Sequence, residues 1–239
     1  MVFVLVHSPL VGPGTWTLVA QELERRGVQA VVPSLLAAAD APPPQWQQCV
    51  EIVRAAQWQQ CVEIVRAATR MVSSPIVLVG HSGGGLLLPA MAGAVAPDVS
   101  RFIFVDSGLP ATTGETPLVP PQFFEQLRSL AVDGKLPPWS SWWGEDAMNE
   151  LVPDEVTRAA LVRELPSLPL SYVEQTVPSP ADWQRVPSGY LLFSEAYREA
   201  AAGARARGWR VEEISGAQHL HTVVAPGAVT DALLRLAAD

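Results

Sequence analysis

Charge is scarce in this chain, and lysine is almost absent. Only 17% of its 239 residues are charged, against roughly a quarter in an average soluble domain, and Lys135 is the single lysine. The net charge is −8 and no basic run or basic-aromatic stripe occurs, so no nucleic-acid partner is expected. Long apolar runs are missing too: no stretch reaches the roughly eighteen residues of a membrane span, and no basic n-region or cleavage site accompanies the opening run 1–7. A cytoplasmic protein with no membrane partner is the expectation. Cysteine is limited to Cys49 and Cys61, which hold equivalent places in a repeated segment and read as one cysteine copied, not as a disulfide pair. What is plentiful is apolar side chain, 49% of the residues, enough for one well-buried domain spanning 1–239.

The repeat is a twelve-residue segment, residues 45–56, that recurs letter for letter as 57–68. Two copies make no solenoid. Each places Trp, Cys, Val and Val at i, i+3, i+4 and i+7, the signal of an amphipathic helix. A twelve-residue shift turns that stripe by about 120°, so one straight helix cannot bury both copies against one sheet. The second copy, which leads into the next strand through Ser73-Ser74-Pro75, is expected to hold the packing position. The absence of divergence reads as a recent duplication or an artefact of the sequence, with a functional insertion as the lesser alternative.

Elsewhere apolar runs alternate with helical patterns: strand 3–6, helix 15–26, strand 29–32, strand 76–79, a small-residue helix to about 96, and strand 102–105. That rhythm predicts βαβ units and a mostly parallel sheet flanked by helices. It breaks over 109–187, a proline-rich stretch with helical patterns at 121–132, 153–165 and 170–175. It then resumes with strand 190–193, helix 195–207, strand 209–214 and a last helix 226–237. An excursion between two strands of a continuing sheet reads as a helical cap inserted after the strand ending near Asp106.

At the end of strand 76–79 stands Gly80-His81-Ser82-Gly83-Gly84, a G-x-S-x-G segment followed by a helix-compatible run. Such a turn lifts a serine hydroxyl above the sheet, with glycines permitting close backbone approach. The Gly83 amide then points to the same spot, at the positive end of a helix. Late in the chain comes Gly216-Ala217-Gln218-His219, with Pro226 seven residues beyond the histidine. The opening strand ends in His7, followed by Gly12 and Trp16.

These three segments, in this order, resemble the α/β-hydrolase fold superfamily over nearly the whole chain. The resemblance implies that Ser82 is a nucleophile activated by His219, since a serine hydroxyl is weak until a neutral imidazole takes its proton. His221 is the competing histidine; its structural reading is a helix-entry or pocket-wall residue. The third member departs from the pattern, because the usual aspartate site after strand 190–193 is filled by Ala196-Tyr197. Asp106 and, as the alternative acid, Glu195 remain as candidates. Their structural readings are a turn cap and a first-turn helix carboxylate.

The oxyanion loop departs as well. Where the family usually has His-Gly-x, this chain has His7-Ser8-Pro9, and proline has no N–H to donate. Gly83 is then one expected oxyanion donor and Leu10 the replacement for the other. Trp139, Trp142 and Trp143 in the cap, with His81 in the elbow, are the candidate substrate-binding residues, cap packing and loop packing being the structural alternatives. No cofactor and no metal site are expected. The function implied is serine-dependent acyl transfer through an acyl-Ser82 intermediate: an esterase, thioesterase or acyltransferase. Its partner would be a small, aromatic-compatible acyl ester or a thioester of CoA or an acyl-carrier protein. A hydroxynitrile-lyase-like proton-transfer enzyme and a noncatalytic ligand binder on the same fold are the alternatives.

Overall fold

Alternate residues of the central strands go to opposite faces, and both sets are apolar here, which dictates a parallel sheet covered on both sides. The computed structural model describes residues 1–39, 57–95, 98–144 and 146–238. The first half runs β1 Val2–Val6, α1 Gly14–Arg25, β2 Ala30–Val31, α2 Leu36–Ala39, α3 Gln57–Thr69, β3 Ile76–His81, α4 Gly83–Ala92 and β4 Val99–Val105. An excursion follows, with β5 Gly114–Pro117, α5 Phe124–Leu130, α6 Ala147–Leu151, α7 Glu155–Glu164 and β6 Thr176–Ser179. The chain returns through β7 Ser188–Leu192, α8 Arg198–Ala206, β8 Arg210–Glu213, α9 His221–Val224 and α10 Pro226–Ala237.

Six strands form one parallel sheet in the order β2-β1-β3-β4-β7-β8. Phe3, Leu5, Val77, Val79, Ile103 and Val105 point to the face covered by α1 and α10. Val4, Val6, Leu78, Phe102, Phe104 and Tyr190 point to the other, where α3, α4 and α8 pack. The chain first steps outward from β1 to β2, then crosses to β3 on the opposite side. The crevice above the ends of β1 and β3 is therefore the switch point where such sheets bind ligands.

The second copy of the repeat forms α3. Its predicted stripe faces the core, with Cys61, Val62 and Val65 buried and Trp58 packed beside them. Burial pushes the Cys61 thiol up to about 12, which keeps it protonated and unreactive. Residues 45–56, the first copy, lie outside the described residues.

The excursion carries, beside the helices of the expected cap, a short ribbon. The β5 and β6 strands pair as an antiparallel ribbon, Gly114 opposite Ser179 and Pro117 opposite Thr176. Ribbon pairing satisfies backbone groups that a proline-rich segment cannot satisfy as a helix. From α7 the Glu164 carboxylate reaches the α1 N-terminus and accepts the Gly14 N–H at 2.8 Å, tying the excursion to the sheet layer. Among the described residues no helix is long and apolar enough to cross a membrane.

Two glycines of α4 and its C-terminus report how tightly the sheet and this helix meet. A Cβ on Gly84 would lie 2.7 Å from the Val6 carbonyl oxygen and 2.8 Å from that of His7, both backbone atoms that cannot swing aside. A Cβ on Gly93 would meet nothing nearer than 3.9 Å, at a helical φ of −72°. Gly84→Ala should therefore cost about 1–3 kcal/mol, while Gly93→Ala should stabilise by about 0.4–1 kcal/mol. Urea midpoints at unchanged m-value measure both.

Candidate active site

The G-x-S-x-G turn at Ser82 is built by crowding. Ser82 closes β3 and opens α4 with φ 53° and ψ −130°, a backbone conformation that L-residues avoid unless their surroundings impose it. Those surroundings are on either side: the Ser82 N–H donates to Val105 O at 3.0 Å and the Ser82 carbonyl accepts the Ser107 hydroxyl at 2.7 Å. A Cβ on Gly80 would stand 2.6 Å from the Gly85 backbone, so strand and helix touch there only because Gly80 has no side chain. The serine thus sits at the positive end of a ten-residue helix, where developing negative charge is favoured.

Asp106 follows β4 with φ 42°, a left-handed turn that aspartate tolerates better than most residues. The turn carries its fully buried carboxylate across to the end of β7. Oδ1 accepts the N–H groups of Phe193 and Ser194, each at 2.9 Å. Oδ2 accepts the Ser194 hydroxyl at 2.6 Å and the His219 Nδ1–H at 2.7 Å. Burial pushes the carboxyl pKa up, but the bonds from His219 and Ser194 outweigh it and hold Asp106 below the usual range. An ionised Asp106 fixes the His219 tautomer with its proton on Nδ1, leaving Nε2 as the acceptor.

Three rings set the orientation of the His219 imidazole. Tyr197 stacks on it at 5.3 Å with 13° between planes, His81 lies at 4.6 Å and Trp139 at 6.0 Å. The His81 Nε2–H donates to the His219 carbonyl at 2.9 Å. Burial, with the His219 charge adding to it, lowers the His81 pKa to about 3. His7 is also buried; its Nδ1–H donates to Ser8 O at 2.8 Å and its Nε2 accepts the Leu35 N–H at 2.9 Å. Burial lowers its pKa to about 4.

The residues expected from the sequence divide as follows. Ser82, Gly83, Asp106 and His219 converge, with Ser82, Gly83 and His219 lining one cavity of about 930 Å³. Trp139, Trp142 and Trp143 line it as well. Glu195 does not reach His219; it is exposed and pairs with Arg198 at 2.7 Å, one helical turn away. Leu10 borders the cavity, but its N–H turns to Ser8 Oγ at 3.3 Å, which corrects its expected place as oxyanion donor. His81 is corrected too: it is buried under His219 and does not line the cavity. His221 opens α9 against Phe193 at 5.7 Å and takes no part in the cavity wall. Three residues that sequence reasoning missed belong to the site: Ser194 on Asp106, Ser8 beside Gly83, and Tyr197. A Cβ on Gly83 would lie 3.0 Å from Ser8 Oγ, which shows how close that hydroxyl stands. Tyr197 had a signal, since it occupies the stretch from which the resemblance expects an acid.

The charged side chains of the cavity wall are Glu150, Glu199 and, when protonated, His219. The rest of the wall is largely apolar and aromatic, Phe123, Tyr172 and the three tryptophans included. No group of side chains able to hold a metal ion occurs among the described residues.

Residues 3–232 match the model of the Alpha/beta hydrolase family. Among solved structures, an extracellular alpha/beta-hydrolase from Paenibacillus species, described as sharing structural and functional homology with tobacco Salicylic Acid Binding Protein 2, superposes at TM-score 0.72. It is 19% identical, with 100% of each chain covered. Tomato Methylketone Synthase I complexed with 2-tridecanone gives TM-score 0.70 at 17% identity, covering 99% of this chain and 97% of that one. A pyrethroid hydrolase from Sphingobium faniae gives 0.71 at 17% identity, covering 98% and 96%. No curated protein sequence matches the chain.

The two buried histidines have a pH consequence. Both native pKa values, about 4 for His7 and about 3 for His81, lie below the roughly 6.5 of an unfolded chain. Between those values the unfolded state binds more protons, so stability rises with pH there. Urea unfolding from pH 4.5 to 6.5 should show increasing stability, with up to two protons taken up on unfolding at the acid end. A flat profile would contradict the neutral burial of both rings.

Proposed function

Because the chain belongs to the alpha/beta hydrolase family, we propose that it is a serine-dependent carboxylic ester hydrolase working through an acyl-Ser82 intermediate. The observation that carries this reading is the Asp106–His219 bond of 2.7 Å beside Ser82, at one wall of a large apolar cavity. In acylation His219 Nε2 takes the Ser82 proton as Oγ attacks the ester carbonyl. Asp106 stabilises the imidazolium, and the Gly83 N–H, which has no other partner among the described residues, donates to the oxyanion. Collapse expels the alcohol with the proton from His219. Water then repeats the sequence on the acyl-enzyme and frees the acid.

The cavity wall supports an uncharged, bulky, ring-bearing ester. Three tryptophans and two tyrosines offer stacking area with little polar demand. Phosphate groups of CoA or of a carrier-protein arm need arginine or lysine, and neither residue type is among those lining the cavity. Simple esters are therefore favoured over such thioesters. Names in the structural neighbourhood, which include polyneuridine aldehyde esterase and pyrethroid hydrolase, agree with ester substrates at the level of the family.

A fluorophosphonate probe should label the protein on Ser82, and Ser82→Ala should abolish labelling. Folded wild-type protein that resists the probe would sink the hydrolase reading and shift weight to proton-transfer chemistry or ligand binding. In Asp106→Asn the amide cannot hold His219 in the same tautomer, so turnover of a p-nitrophenyl ester should fall by about three to four orders of magnitude. A melting temperature measured in parallel separates that loss from unfolding.

A further inference from the structure

Ser194 addresses both oxygens of the Asp106 carboxylate. Its N–H donates to Oδ1 at 2.9 Å and its hydroxyl donates to Oδ2 at 2.6 Å, so one residue fixes the carboxylate plane from the end of β7. Oδ2 is also the oxygen that accepts the His219 Nδ1–H at 2.7 Å. The hydroxyl and the imidazole therefore share one acceptor atom. Oδ1 is held by amides alone, from Phe193 and Ser194. Ser194 also lines the cavity, together with Ser82 and His219, which makes it part of the site and not only of its support.

Asp106 stabilises the imidazolium through the negative charge on Oδ2, and a second donor on that oxygen takes part of the same charge. We propose that Ser194 is a positioning residue whose hydroxyl weakens the hold of Asp106 on protonated His219, and so keeps His219 available as a base to lower pH. This rests on the hydrolase reading above. Geometry separates the role from plain support of the carboxylate. Without the hydroxyl, both amides still hold Oδ1 and keep Oδ2 aimed at Nδ1, whereas the charge on Oδ2 then faces His219 alone. Protonated His219 cannot take the Ser82 proton, so activity falls as pH drops through the acid limb. A stronger Asp106–imidazolium pair moves that limb to higher pH.

The other titratable groups around the pair stay the same when Ser194 is replaced. His81 lies against the His219 ring, and burial keeps it neutral down to about 3. Tyr197 stacks on that ring and Tyr190 supports the Asp106 turn through Ser107, both phenols pushed up by burial. His221 packs on Phe193 and its pKa is lowered by burial. Glu150 and Glu199 stand in the cavity wall.

Ser194→Ala removes the hydroxyl and leaves both amides. The acid limb of kcat/KM for p-nitrophenyl butyrate should move up by about half a unit to one unit, so the loss relative to wild type should be about three- to tenfold greater on the limb than on the plateau. Ser194→Thr should return the limb to its wild-type place, because the backbone there is extended, φ −101° and ψ 155°, a conformation that β-branched residues favour. An NMR titration of the His219 ring protons, assigned by their absence in His219→Gln, should show the same displacement without substrate. A residue that only supports the fold would lower kcat/KM equally at every pH. A limb that stays in place or moves down in Ser194→Ala overturns the proposal, as does a folded Ser194→Thr protein whose limb stays displaced. A Ser194→Ala protein that no longer folds assigns the hydroxyl to stability and overturns it too. Wild type that neither turns over the ester nor reacts with a fluorophosphonate removes the hydrolase reading, and the NMR titration then decides the Ser194 bond on its own.

Discussion

The site depends on one buried carboxylate. Asp106 has no exposed surface, and taking an ionised carboxylate out of water costs several kcal/mol unless it is fully hydrogen-bonded. Four donors offset that cost, and they come from two distant parts of the chain: the Phe193 and Ser194 amides, the Ser194 hydroxyl, and His219 Nδ1. The same contacts lock the turn after β4 against the end of β7 and pin the loop before α9. Tyr190 supports the turn from behind, donating to Ser107 O at 2.6 Å and accepting the Ser107 N–H at 3.1 Å. Since Ser107 in turn donates to the Ser82 carbonyl, the strained elbow and the acid are held by one continuous hydrogen-bonded chain.

What could be read in the sequence is what local pattern encodes. Strand alternation, the elbow glycines and the last helix at 226–237 are short-range features, and each is in place. The choice between Asp106 and Glu195 could not be read, because it turns on which carboxylate the sheet order delivers to His219. Both follow strands that are neighbours in the sheet, β4 and β7. The left-handed turn at Asp106 sends its side chain inward, whereas Glu195 points out to Arg198 one helical turn on. The β5–β6 ribbon was hidden for the same reason: its partners lie about sixty residues apart, and four-residue strands containing Pro117 and Pro178 carry no usable period. For Leu10 the obstacle was smaller in scale, since the Ser8 side chain claims its amide, a contact that no spacing rule predicts. The substitution at Tyr197 was visible as a gap in a motif; its stacking on His219 needed the fold.

The scarcity of charge that marks the sequence also shapes the site. Several ion pairs elsewhere are exposed and local, such as Arg66 with Glu63, Arg128 with Glu125 and Arg198 with Glu195, each three residues apart, and others such as Arg26 with Asp231 and Arg235 with Glu212 tie distant surface segments together. Among the described residues Asp106–His219 is the one ion-pairing contact with a fully buried carboxylate. Exposed pairs contribute little, so the strongest electrostatic contact lies in the candidate site.

His7, His81 and His219 are not equivalent in their capacity to hold a proton. His7 is held neutral by burial and by two bonds that use both ring nitrogens. His81 is held neutral by burial and by the charge of its neighbour 4.6 Å away, so a proton arriving on His219 lowers the basicity of His81 further. Protonation of the pair is therefore exclusive: in the proposed cycle, once His219 has taken the Ser82 proton, the adjoining imidazole cannot drain it away. The groups left to receive it in the proposed cycle are those in the cavity, the leaving alcohol and then Ser82 itself.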